Sequence, residues 1–152
     1  MKAMLWLSKD HQRIQELFEK YRRSPHIPQN GMRAAVEDIR RELALHLTIE
    51  NEVFYAEVRN SSASKNTMEL VDALIEEHQG IEKLLQEINY NNGNEKQVET
   101  KLSRLIELVE AHIKKEEDEL FPEAQAVLSK QRLEELGLDM EYRKKIFTQA
   151  VA

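Results

Sequence analysis

The chain has 152 residues, 33% of them charged, with a net charge of −6, four glycines, three prolines and no cysteine. Such a length supports one compact domain with a sizeable core, and few breakers beside abundant Leu, Glu, Lys, Ala and Arg favour long helices over sheet. An acidic balance without a basic stripe argues against nucleic acid as a partner, and the lack of cysteine excludes disulfides, thiolate metal sites and cysteine nucleophiles.

A first helix is expected from about Met4 to Arg23, closed by Ser24-Pro25. Met4, Leu7, His11, Ile14, Phe18 and Tyr21 recur at alternating three- and four-residue steps, the apolar seam of a bundle helix. After the breaker-rich loop from Ser24 to Gly31, a second helix from about Met32 to Arg59 carries Val36, Ile39, Leu43, His46, Glu50 and Val53. Past a polar turn at Asn60 to Ser64, a third helix from about Asn66 to Asn89 carries Val71, Leu74, His78, Ile81, Leu85 and Ile88. Asn91-Asn92-Gly93-Asn94 marks the next turn. A fourth helix from about Glu95 to Leu128 carries Val98, Leu102, Leu105, Val109, His112, Glu116 and either Glu119 or Leu120, with a kink or loosened end at Pro122. The tail from Ser129 is expected to hold one short helix stopped near Gly137 and another from Met140 to Thr148. Four amphipathic helices with short turns imply an all-α, up-down-up-down antiparallel four-helix bundle. Residues 1–128 would form it, with 129–152 a short helical tail packed upon it or docked to a second chain.

The chain also repeats itself. His46-Leu47-Thr48-Ile49-Glu50 and His112-Ile113-Lys114-Lys115-Glu116 each set an imidazole and a carboxylate four residues apart, one turn apart on a helix face. A lone histidine precedes each at a similar distance, His11 before His46 and His78 before His112. Leu7 to Ile14 resembles Leu74 to Ile81, and Glu50 to Tyr55 resembles Glu116 to Phe121, so two helix hairpins read as duplicates about a pseudo-twofold axis.

A single histidine on an apolar face is usually a satisfied core residue. Here four of the five histidines lie on seams, one per helix, and two have a glutamate one turn later on the same seam. Burying unpaired charges costs several kcal/mol each, against a total stability of roughly 5–15 kcal/mol. A compensating cation is therefore expected at His11, His46, Glu50, His78, His112 and Glu116, and these donors suit a pair of iron, manganese or zinc ions. From His112, Glu116 lies roughly 40° round the helix, whereas Glu117 lies about 140° round and points away. Glu119 is either a support for the ligands or a polar end to the core, and His26, in its proline-flanked loop, reads as a surface residue.

This pattern resembles the hemerythrin family, specifically its prokaryotic hemerythrin-like, histidine–histidine–glutamate cation-binding domains. The resemblance covers about residues 5 to 125, and the segment from His112 to the Leu120-Phe121-Pro122 ending is especially similar. It implies two non-haem iron ions, each held by two histidines, with Glu50 and Glu116 bridging the pair beside an oxo or hydroxo group. Two departures stand out. The animal oxygen carriers have a further histidine one turn before the third-helix ligand, where this chain has Leu74. They also use an aspartate five residues after the last histidine, where this chain has Glu116 at four and Glu117 at five.

With fewer nitrogen donors, each iron would keep an open position in an octahedral shell. Redox chemistry then becomes available beside reversible binding. The expected function is binding or sensing of dioxygen, nitric oxide or iron, with a small diatomic ligand as partner. The alternative is a di-iron enzyme reducing peroxide or nitric oxide or handling iron under oxidative stress. A metal-free or zinc-bound structural bundle is the remaining reading. The first ten residues lack a signal-peptide pattern and no apolar run approaches the roughly 20 residues of a membrane span, so a cytoplasmic chain without a membrane partner is expected.

Overall fold

The computed structural model describes residues 2–23, 29–61, 64–88 and 95–151, so His26 and the asparagine-rich turn at 91–94 lie outside the described residues. Every element is helical. The helices are α1 (Ala3–Arg22), α2 (Gln29–Ile49), α3 (Ala56–Ser61), α4 (Lys65–Glu87), α5 (Glu95–Lys115), α6 (Phe121–Val127) and α7 (Lys130–Val151). A π-helical stretch, Glu50–Tyr55, joins α2 to α3, and another, Glu116–Leu120, joins α5 to α6. The second and fourth rods of the antiparallel bundle are therefore each interrupted by a widened turn. No helix among the described residues is long and apolar enough to cross a membrane.

Local chemistry sets the ends of these rods. Ser64 accepts from the Thr67 backbone N–H at 3.3 Å, capping the start of α4. The Arg40 guanidinium, on α2, donates to the Leu85 and Ile88 carbonyls at 2.7 Å and closes the other end of α4. Pro122 falls in the first turn of α6, where a missing N–H is tolerated. It follows the π stretch, so what the sequence marked as a kink is a change of helical register.

The seams face inward as the periodicity requires. Of the positions named for the fourth helix, Leu120 is buried and Glu119 is exposed. The apolar core divides into two clusters. One gathers Leu7, Ile49, Val53, Phe54, Val71, Leu74 and Leu120; the other gathers Ile14, Phe18, Leu43, Ile81, Leu102, Leu105 and Val109. The histidine and glutamate positions of each seam fall between these clusters, as a buried polar layer.

The C-terminal segment departs from expectation. It is one continuous helix, α7, running through Gly137 without a break. A glycine in a helix costs only about 1 kcal/mol against alanine, and burial of Leu133, Leu136 and Met140 in the first core cluster outweighs it. α7 packs on α1 and α2. Its other side leaves Leu138, Tyr142, Ile146 and Phe147 exposed.

Met140→Ala should therefore cost about 2–5 kcal/mol in urea unfolding, whereas Leu138→Ala, at a position 60% exposed, should change it by no more than about 0.5 kcal/mol. Equal small effects at both positions would show that α7 is not part of the core.

Candidate metal centre

All six residues singled out from the sequence lie in the polar layer, none more than 2% exposed. His11 comes from α1, His46 from α2, His78 from α4 and His112 from α5, while Glu50 and Glu116 are the first residues of the two π stretches. Glu50 Oε1 is 3.1 Å from His46 Nε2, 3.0 Å from His78 Nε2 and 3.6 Å from His112 Nε2. Its Oε2 is 3.5 Å from His11 Nε2. Glu116 reaches His11 Nε2 at 3.4 Å with one oxygen and His112 Nε2 at 3.6 Å with the other. The Nε2 atoms of His78 and His112 are 2.9 Å apart.

These separations can be tested against a cation. With metal–nitrogen distances near 2.1 Å, neighbouring donors in octahedral or tetrahedral shells lie about 3.0–3.4 Å apart. Two donor groups, Glu50 with His78, His112 and Glu116, and His11 with His46 and Glu50, have ligand atoms that all lie within 4.8 Å of one another, close enough to share an ion after small adjustments. They share Glu50. Four buried atoms, His11 Nε2, His46 Nε2, Glu50 Oε2 and Glu116 Oε1, also have no hydrogen-bond partner among the described residues. Buried polar atoms are rarely left so, and these converge where a cation would accept all four. The residues fit a metal pair.

The outward nitrogens are all engaged. The Nδ1 of His46 lies 2.7 Å from Asp10, that of His11 2.6 Å from Glu117, that of His112 2.9 Å from Glu77 and that of His78 2.8 Å from Asn51 Oδ1. Each of those oxygens accepts, so each Nδ1–H donates and Nε2 is left as the ring atom that can bind a cation inward. Such outer partners orient metal-bound imidazoles and raise their basicity.

Three of these supports correct or extend the sequence reading. Glu117, expected to point away, points away only from the helix's own seam and reaches His11 across the bundle. Glu119, weighed for a support role, is exposed. Asp10 and Glu77 each directly precede a seam histidine, and each binds the histidine of the following helix; that carboxylate-histidine pair recurs in both halves of the repeat and was the signal available.

Tyr55 carried no such signal. Five residues beyond Glu50, it would sit about 140° round an α-helix, facing away from the site. The π stretch adds a residue to the turn and swings the phenol inward. Its hydroxyl donates a short hydrogen bond to Glu116 and lies 3.2 Å from both His78 Nε2 and His112 Nε2. At the matching position of the second half, Phe121 stacks on His11 with ring centroids 6.2 Å apart.

Comparison with known proteins decides the family. The hemerythrin HHE cation binding domain matches residues 5–124. The chain belongs to that family. Its fold is similar to the crystal structure of a hemerythrin HHE cation binding domain-containing protein from Mycobacterium kansasii, with a TM-score of 0.80 over 99% of this chain and 89% of that one, at 21% identity. A protein named DNA nickase from a Nostoc species is 26% identical over 135 residues, 89% of this chain. The chain spans only 37% of that protein's length.

In this HHE domain the His46 and His112 imidazoles hold their protons tightly when no metal is bound. Burial alone would push the His46 imidazole down, but the charge of Glu50 and the hydrogen bonds to Asp10 and Glu50 carry it up to about 9. Burial likewise opposes the charged form of His112, and Glu116, Glu50 and Glu77 carry it up to about 11. Glu50 is displaced the other way: burial would raise its carboxyl, yet His46 and the neighbouring donors hold it well below the usual carboxylate range. Burial, and then the charges of Glu50 and Glu116, push the Tyr55 phenol well above its ordinary value, so it keeps its proton.

A raised histidine stabilises the fold fully below its ordinary value, and that contribution is lost as pH rises through the folded value. Stripped of metal, the HHE domain should melt at progressively lower temperature as pH rises through about 9 and on towards about 11. The metal-loaded domain, whose imidazoles carry no such proton, should decline less over the same window. Circular dichroism melts with and without chelator measure the difference, and parallel curves would contradict it.

Proposed function

We propose that this HHE domain binds two non-haem iron ions and uses them to bind or sense dioxygen or nitric oxide. His11 and His46 would hold one ion, His78 and His112 the other, with Glu50 and Glu116 bridging them beside an oxo or hydroxo group. The observation that carries this reading is the pair of buried donor groups sharing Glu50, with Glu116 spanning from His11 to His112. Imidazole and carboxylate donors without thiolate suit iron, and membership of the family supports it. Residues 1–128 would be the metal-binding unit and 129–152 a helical extension packed on it.

Iron so held supplies reversible binding and reduction of small oxygen- and nitrogen-containing molecules. The protein residues define what reaches it. The six donors are 0–2% exposed, so the bundle would restrict access to them to small ligands. Phe121 and Phe54, in edge contact at 5.8 Å, pack against the His11 side and keep it apolar. The four Nδ1 hydrogen bonds hold the imidazoles in place.

One observation favours a second reading, a di-iron enzyme acting on peroxide or nitric oxide. The Tyr55 hydroxyl holds a proton at Glu116 and beside His78 and His112, where turnover would need a proton donor and simple carriage would not.

Anaerobic loading with ferrous iron should give two ions per chain, and air should then produce an oxo-to-iron absorption band. Bleaching under vacuum supports binding or sensing; repeated turnover of peroxide, slowed in Tyr55→Phe, supports the enzyme. A colourless protein holding one zinc after iron-replete growth would contradict both. Glu50→Ala or Glu116→Ala should lower the iron content below two per chain. Because metal-binding free energy adds to folding free energy, chelation should also lower the melting temperature of the wild-type chain, and an unchanged curve would count against a central metal pair.

A further inference from the structure

The two halves of the repeat support their second histidine in the same way up to a point. In the second half, His112 Nδ1–H donates to Glu77, and Glu77 in turn accepts from the Lys115 ammonium at 3.0 Å. Lys115 is three residues past His112 on α5, so histidine, carboxylate and lysine form a local chain. In the first half, His46 Nδ1–H donates to Asp10. The residue three past His46 is Ile49, 1% exposed and committed to the apolar core. The first half therefore has no lysine of its own at the matching place.

α7 provides one. The Lys144 ammonium bonds the other oxygen of Asp10. It also lies 3.4 Å from Glu42 and 5.7 Å from the centre of the Trp6 ring. Lys144 is 14% exposed and Asp10 only 4%, so this pairing is far less accessible to water than that of Lys115 with Glu77, which are 33% and 35% exposed. Arg13, at 3.6 Å from Asp10 and half exposed, is a weaker second cation. A buried carboxylate without a close cation would be costly and free to reorient. α7 itself lies beyond residues 5–124, the span matched by the HHE domain.

We infer that Lys144 is a positioning residue of the metal centre: by holding Asp10 it fixes His46, so that α7 completes the subsite formed by His11, His46 and Glu50. The inference rests on the proposal that these residues bind metal. Outer supports of metal-bound histidines typically govern affinity by about 10–100-fold, and Lys144 acts one step further out through a bond that water screens little. Its role differs from that of Leu133, Leu136 and Met140 on the same helix, which pack. Lys144 sets one ligand's orientation.

The test uses the full chain loaded anaerobically with ferrous iron and challenged with a coloured ferrous chelator. Lys144→Met keeps the apolar stem over Trp6 and removes the charge. It should speed release of one of the two ions about 10–100-fold and leave the other near the wild-type rate. Lys144→Arg, which can still bond Asp10, should restore slow release, and Lys115→Met should speed release of the other ion, so the double variant loses both quickly. Lys144→Gln carries the same test should Lys144→Met fail to fold. Unchanged release in a folded Lys144 variant overturns the inference. So does equal acceleration of both ions with a matching fall in the melting temperature of the metal-free chain, which is what loss of packing alone would do. A wild-type chain that takes up no iron overturns the metal-centre reading itself, an outcome distinct from a wild type that holds two ions and a variant that holds them equally well.

Discussion

Two carboxylates and four imidazoles sit in the middle of a helical bundle with almost no access to water, and the rest of the structure is arranged around keeping them there. The apolar core stops on either side of this layer and resumes beyond it. Burial is expensive for such groups unless every polar atom is matched. The outward atoms are matched by Asp10, Glu77, Glu117 and Asn51, whose positions follow from the helix pairs they bridge. Four of the inward atoms have no hydrogen-bond partner among the described residues. That imbalance, satisfied outside and open inside, is the physical content of a metal site in a protein.

The two π stretches are the backbone's part in this arrangement. Each begins at a glutamate of the central layer, so the helix holds ordinary spacing from histidine to glutamate and then widens. Beyond the widened turn the inward face is taken by residues a continuous α-helix would direct elsewhere. Phe54 and Tyr55, the last two residues of the first stretch, are both buried. In the second, Pro122 follows one residue after the stretch ends, in the first turn of α6. The first has no proline, and both stretches fit the tendency of such turns to accompany functional sites.

The fold and the six central residues were legible because both depend on spacing. A seam repeating every three or four residues specifies which face is buried, and a histidine on that face with a glutamate one turn later needs no tertiary information to be noticed. What lies one bond further out depends on contacts between helices, which spacing along one helix does not encode. Glu117 shows the difference: its angle about its own helix axis was read well enough, but the helix it turns towards is α1, where His11 waits. Tyr55 was hidden for another reason, since its angle was counted on a regular helix. α7 was expected as two pieces because Gly137 is a stop signal in isolation; the burial of Leu133, Leu136 and Met140 against the bundle overrides it.

The repeat is faithful at the six central positions and unfaithful just outside them, and the differences are not random in space. His78 donates to a neutral amide, Asn51, where the matching His11 donates to a carboxylate, Glu117. Tyr55 brings a hydroxyl to the side of His78 and His112 where Phe121 lays an apolar ring against His11. A carboxylate partner makes an imidazole a stronger donor than an amide does. The His11 side therefore combines its two carboxylate-supported rings with an apolar wall, whereas the His78 side has one weaker ring and an oxygen atom in compensation. A duplicated hairpin has thus become a centre with two unlike faces, a hydroxyl on one and an apolar ring on the other. A strictly repeated pair of hairpins would lack that polarity.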